Sequence, residues 1–177
     1  MRLSLVAAIV ICGTAAAQQA PPLGFKDLIL GMPLAESGLS TRLNCKHENP
    51  PRCVYLGKYA GGPAETIAGE PINAILLSRR DGAIDSIMVT FKAKAFEQVR
   101  DGLAEKYPGL KCAHAQVQNR MGATFDQVVC SYETADGNHV ELDKRGGGTV
   151  DESYMYFTTA ENRTAAAKQR ASGRKDI

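Results

Sequence analysis

The chain has no tryptophan, and its 177 residues include only six tyrosines, five phenylalanines and three histidines. Its core must therefore be aliphatic, and chemistry that leans on imidazole has few places to sit. Neither sign of charge dominates: 21 Lys and Arg stand against 19 Asp and Glu, a formal net charge of +2. A nucleic-acid binder needs a basic stripe to release counterions from phosphates, so that class is excluded. The absence of a C-x-x-C pair removes the usual dithiol redox centre, and no G-x-S-x-G marks a nucleophile elbow. Gly61-Gly62-Pro63 and Gly146-Gly147-Gly148 are glycine-rich but lack the lysine of a phosphate-cradling loop. No segment is apolar for long enough to span a bilayer.

What is present begins with an export signal. Met1-Arg2 opens on a positive charge, Leu3 to Cys12 is a short apolar run, and Ala15-Ala16-Ala17 offers small residues for cleavage before Gln18. Lipidation at Cys12 would want a small residue before it, where Ile11 stands. Loss of Arg2 with this leader lowers the net charge to +1. The expected location is periplasmic or secreted.

Two echoes organise the remainder. Leu43-Asn44-Cys45-Lys46-His47 returns as Leu110-Lys111-Cys112-Ala113-His114, the pattern L-x-C-x-H at a spacing of 67 residues. At the same spacing Asp85-Ser86-Ile87-Met88-Val89 is matched by Glu152-Ser153-Tyr154-Met155-Tyr156. In-register echoes early and late in each half point to a duplicated unit. Residues 1–17 read as signal peptide, 18–24 as a mobile leader, 25–92 and 93–160 as the two repeats, and 161–177 as a basic helix or tail.

Beyond Cys12 the chain carries Cys45, Cys53, Cys112 and Cys130, an even number suited to an oxidising compartment. Four cysteines allow three connectivities, and the repeat selects one pair per half, Cys45–Cys53 and Cys112–Cys130. By chain entropy, loops this short contribute roughly 2.5–3 kcal/mol each.

Periodicity supplies the elements. Pro33 suits a first helical turn, and Met32, Ala35, Leu39 and Leu43 then share a helical face. Ile72 to Arg80 and Ala83 to Lys92 flank Asp81-Gly82, a strong hairpin signal. Phe96, Val99, Leu103 and Tyr107 predict a helix over 95–107, stopped by Pro108-Gly109. Pairing Cys112 with Cys130 centres a hairpin on Met121, within the turn Asn119 to Ala123, so disulfide and turn predict one register. Strands are expected over His139 to Lys144 and Glu152 to Thr159, then an alanine-rich basic helix from Glu161 to Lys175. The expected fold class is α+β: two tandem repeats, each a helix on an antiparallel sheet with one internal disulfide.

This organisation resembles the secreted β-lactamase-inhibitor-protein family, with tandem helix-on-strand repeats and one disulfide in each. It is also similar to the small outer-membrane assembly lipoproteins of that fold, whose opening resembles Leu30-Gly31-Met32-Pro33. No enzyme-contacting residue of the inhibitor carries over to a position here. The resemblance therefore implies architecture and a broad sheet face that binds another protein, not inhibition.

Each candidate chemistry has a plain competitor. Cys45, His47 and Cys53, or Cys112, His114 and Cys130, could ligate zinc, but oxidation consumes the thiolates that zinc needs. No metal or other cofactor is expected. Asp126, Glu133, Glu141 and Asp143 could serve glycosidase-like chemistry but read as a solvated strand face. Ser131, His139 and Asp143 are not spaced as a triad, so no catalytic residue is assigned. Arg163, Lys168, Arg170, Arg174 and Lys175 lack the apolar face of a membrane-surface helix. The expected function is a non-enzymatic, exported protein-binding module acting through a sheet face on another envelope or secreted protein. The competing reading is a hydrolase or metal-dependent enzyme. In the last strand Tyr154 and Tyr156 share one face, and with Tyr132 on a neighbouring strand they are the expected partner-binding residues, with Met155 and Phe157 under the helices.

Overall fold

The computed structural model describes residues 21–46, 52–55, 64–118, 121–146 and 149–173. The signal segment 1–17, the turn around His47, the glycines at 61, 62, 147 and 148, and Arg174 and Lys175 lie outside the described residues. A small hairpin, β1 (Gly24–Phe25) and β2 (Leu28–Ile29), opens the described chain. Leu23 and Gly24, assigned from sequence to the leader, are buried, and the Tyr107 hydroxyl donates to the carbonyl of Pro22.

One antiparallel sheet takes up most of the rest. Its strands are β3 (Leu43–Lys46), β4 (Arg52–Tyr55), β6 (Glu70–Arg80), β7 (Ala83–Lys92), β8 (Lys111–Gln118), β9 (Thr124–Glu133), β10 (His139–Asp143) and β11 (Glu152–Thr158). A short β5 (Thr66–Ile67) pairs with β6. Across the sheet the order is β3-β4-β6-β7-β11-β10-β9-β8, with the seam between β7 and β11 at its middle. Asp81 and Gly82 both take positive φ (51° and 84°), as the tight turn from β6 to β7 requires. Both disulfides are present, Cys45–Cys53 joining β3 to β4 and Cys112–Cys130 joining β8 to β9, each between directly opposed residues. The β8–β9 register centres on Met121, as the disulfide and turn predicted.

This corrects the expected fold class. The protein is mostly β, a single sheet running through both halves, and is not an α+β pair of helix-plus-sheet repeats. Only two α-helices occur among the described residues, α1 (Phe96–Lys106) and α2 (Ala160–Gly173). Where Pro33 to Leu43 predicted a helix, there are two 3-10 turns, Leu34–Glu36 and Ser40–Arg42. Local polar groups interrupt the helix. Ser37 is extended (φ −81°, ψ 135°), its hydroxyl accepts from the Leu39 N–H, and Asp27 accepts from the Gly38 N–H. Of the predicted face Leu39 and Leu43 are buried, but Met32 is only half-buried and Ala35 is exposed. Leu34, off that face, is buried, so the spacing marked part of the buried set and not helical winding.

The two faces of the sheet are covered differently. On one, Val89, Phe91, Val140, Leu142, Met155 and Phe157 meet Phe96, Val99 and Leu103 of α1 and the apolar residues of the N-terminal segment in one core. The disulfides sit on this face, since Cys53 pairs with Leu77 and Cys130 with Leu142. Among the described residues, the other face carries α2 alone.

Candidate functional site

The face opposite α1 is built of rows that cross the sheet through directly paired residues. One is apolar: Val54, Leu76, Met88 and Tyr156 follow each other across β4, β6, β7 and β11, and Glu141 on β10 continues it. Beside it runs a polar row, Arg52, Ser78, Ser86, Thr158, His139 and Glu133. Strand alternation fixes both rows, because residues two apart share a face. Above them, Asn162, Ala165, Ala166 and Gln169 of α2 form a wall, enclosing a groove of about 740 Å³ floored by the apolar row. That volume lies within the usual range for ligand sites.

The apolar floor is incompletely covered. Leu76 is 39% and Val54 42% exposed, two of the four large apolar side chains that stand exposed among the described residues. The residues that α2 turns to the groove are two alanines and two amides, too short to fill it. Polar contacts tether the helix instead. Arg80 pairs with Glu161 at 2.6 Å and approaches Asp85 at 3.6 Å. Arg163 pairs with Glu133 and donates to the carbonyl of Gly137. These partners raise the Arg80 guanidinium and lower the Glu133 carboxyl from their ordinary values, the hydrogen bonds to Glu161 and from Arg163 being the larger cause in each case.

Tyr156 lines the groove, half-buried. Tyr154 shares its face but is held differently: its hydroxyl donates to Glu141 Oε1 at 2.8 Å, and its ring lies where any side chain on Gly146 would collide with it. Burial first, and then the Glu141 hydrogen bond, push the Tyr154 phenol up. The Glu141 carboxyl is held below its ordinary range chiefly by the His139 imidazole, whose Nε2 is 4.0 Å away; burial opposes this and the Tyr154 hydroxyl adds to it. Tyr132 does not join the other two. It pairs with Val140 on the α1 side of the sheet and stacks on Tyr107 with ring centroids 5.3 Å apart. The register decides this: Tyr132, Val140 and Phe157 form one row, and Phe157 points away from the tyrosines beside it. Met155 and Phe157 lie against α1.

Among the described residues, the polar groups on this face do not assemble a nucleophile. Ser78 and Ser86 hydroxyls are 2.5 Å apart and Ser78 also bonds Asp85, but His139 lies two strands from Ser86, about 10 Å at normal strand spacing. Ser131, His139 and Asp143 share the face, yet His139 is directed at Glu133 (3.8 Å) and Glu141. Among the described residues no group of three His, Cys, Asp or Glu could hold a metal. All four cysteines named as possible ligands are in disulfides. His47 lies outside the described residues, and His114 stands exposed on β8.

Sequence reasoning missed the groove itself. Alternation sets Ser86, Met88 and Thr90 on one face of β7, but only the register sets Met88 between Leu76 and Tyr156, and nothing local reveals that α2 folds over them. No helix among the described residues is long and apolar enough to cross a membrane. No protein-family model matches the chain, and neither a curated protein nor a solved structure does so.

Proposed function

We propose that this is an exported binding protein that holds a segment of another envelope or secreted protein in the groove between α2 and the sheet. The carrying observation is the apolar row Val54–Leu76–Met88–Tyr156, left open under a helix that does not fill the space above it. Open apolar patches of this kind mark interaction sites. Arg52 at the groove's outer end, on β4, favours a segment that sets an acidic residue beside its apolar ones. Export is supported by the two disulfides, which persist in oxidising compartments, and by the leader pattern at 1–17.

The test compares tagged full-length protein with Leu76→Lys, and with Ala104→Lys on the exposed side of α1, recovered from the envelope fraction. A partner retained by the wild type and by Ala104→Lys but lost from Leu76→Lys is the expected result. Equal recovery with all three would overturn the assignment of this face.

A further inference from the structure

β8 ends the sheet, and every residue from Lys111 to Gln118 is exposed. Edge strands are ordinarily blunted by proline, bulges, inward charges or brevity, because their free N–H and C=O groups template further pairing. β3, at the other edge, is four residues long and carries Lys46. β8 has eight residues, an unbroken register with β9, no proline or glycine, and no charge between Cys112 and Gln118.

Its outward-facing groups can be identified. Cys112 and Cys130 oppose each other with Cα atoms 3.9 Å apart, the close approach of a non-hydrogen-bonded pair. The Lys144 N–H bonds the Val128 carbonyl at 3.0 Å, so even-numbered residues of β9 turn their backbone groups to β10, not to β8. Alternation then leaves the N–H and C=O of Cys112, His114, Gln116 and Gln118 pointing out of the sheet.

We propose that β8 pairs antiparallel with β8 of a second copy of this chain, about a two-fold axis at Ala115. Residues facing each other across such a pair must lie on the same face of the sheet, which restricts the symmetric registers. Centring on Ala115 sets Cys112 opposite Gln118 and His114 opposite Gln116, each occurring twice by symmetry, and uses every outward N–H and C=O. Centring on His114 leaves those of Gln118 unused. The side chains fit the same register. Ala113 meets Val117 of the copy, and Ala115 meets its own equivalent, on the face where Val117 stands 38% exposed. On the other face His114 meets Gln116, and no charge opposes a like charge. An isologous contact of this kind closes as a dimer.

Light scattering on the purified full-length protein should report a dimer. Ala115→Cys should form an intermolecular disulfide on mild oxidation, whereas Val117→Cys, with no equivalent opposite, should not. Ala115→Lys, which brings two ammonium groups together at the axis, should give monomers with unchanged circular dichroism, and His114→Pro, which removes one outward N–H, should do the same. A monomeric wild type, a dimer indifferent to Ala115→Lys, or an Ala115→Cys crosslink to a foreign protein instead of a second copy would each overturn the proposal.

Discussion

Gly146 has no side chain, and the Tyr154 ring occupies the place where one would be. Gly146→Ala must therefore displace that ring and strain its hydrogen bond to Glu141, which should cost about 1–3 kcal/mol by denaturant unfolding. Tyr156→Ala removes a half-buried ring facing open space and should cost only about 1–2 kcal/mol. Phe157→Ala, at 1% exposure on the α1 face, should cost about 3–5 kcal/mol. Equal losses at Tyr156 and Phe157 would remove the distinction between groove and core. Glu141 adds a pH dependence. Its folded-state pKa is depressed, so its stabilising contribution is present above the ordinary glutamate value of about 4.3 and is lost as pH falls through the lowered folded value. In urea midpoints measured against pH, Glu141→Gln should flatten the acid limb while leaving the fold intact, and an unchanged slope would contradict the assignment.

α2 tests the same face as an element. Its anchors are exposed ion pairs, each of the kind that contributes about 0–1 kcal/mol, and its groove-facing residues are small. Truncation after Thr159 should leave the sheet folded, lower Tm by a few degrees at most, and increase binding of an apolar fluorescent dye to the uncovered Val54–Leu76–Met88 row. Loss of cooperative unfolding on truncation would show that α2 is part of the core. Some elements were legible in sequence because local and tertiary demands agree. Asp81-Gly82 wants the turn it makes, and Phe96, Val99, Leu103 and Tyr107 are spaced for the helix face that they bury. The spacing of Met32, Ala35, Leu39 and Leu43 misled: only Leu39 and Leu43 are buried, Ala35 is exposed, and Ser37 and Asp27 spend their hydrogen bonds on breaking the helix. Alternation alone placed Tyr154 and Tyr156 together. It could not orient Tyr132, whose face depends on the β9–β10–β11 register.

For the molecule as a whole, the disulfides lie in the two outermost strand pairs of one sheet, where fewest neighbours hold the strands. Cys45–Cys53 secures the pair that sets Val54 and Arg52 beside the groove. Replacing Cys45 and Cys53 together by alanine should cost roughly 2.5–3 kcal/mol and weaken partner retention. The corresponding change at Cys112 and Cys130 should cost a similar amount and leave retention unchanged. The central claim is that the row under α2 is the surface at which a partner is held, and photo-crosslinking in the intact envelope tests it most directly. A photoreactive residue in place of Met88, at the middle of the row, should give one defined adduct, absent when the same residue replaces Ala104 on α1. An adduct at Ala104 with none at Met88 would contradict it.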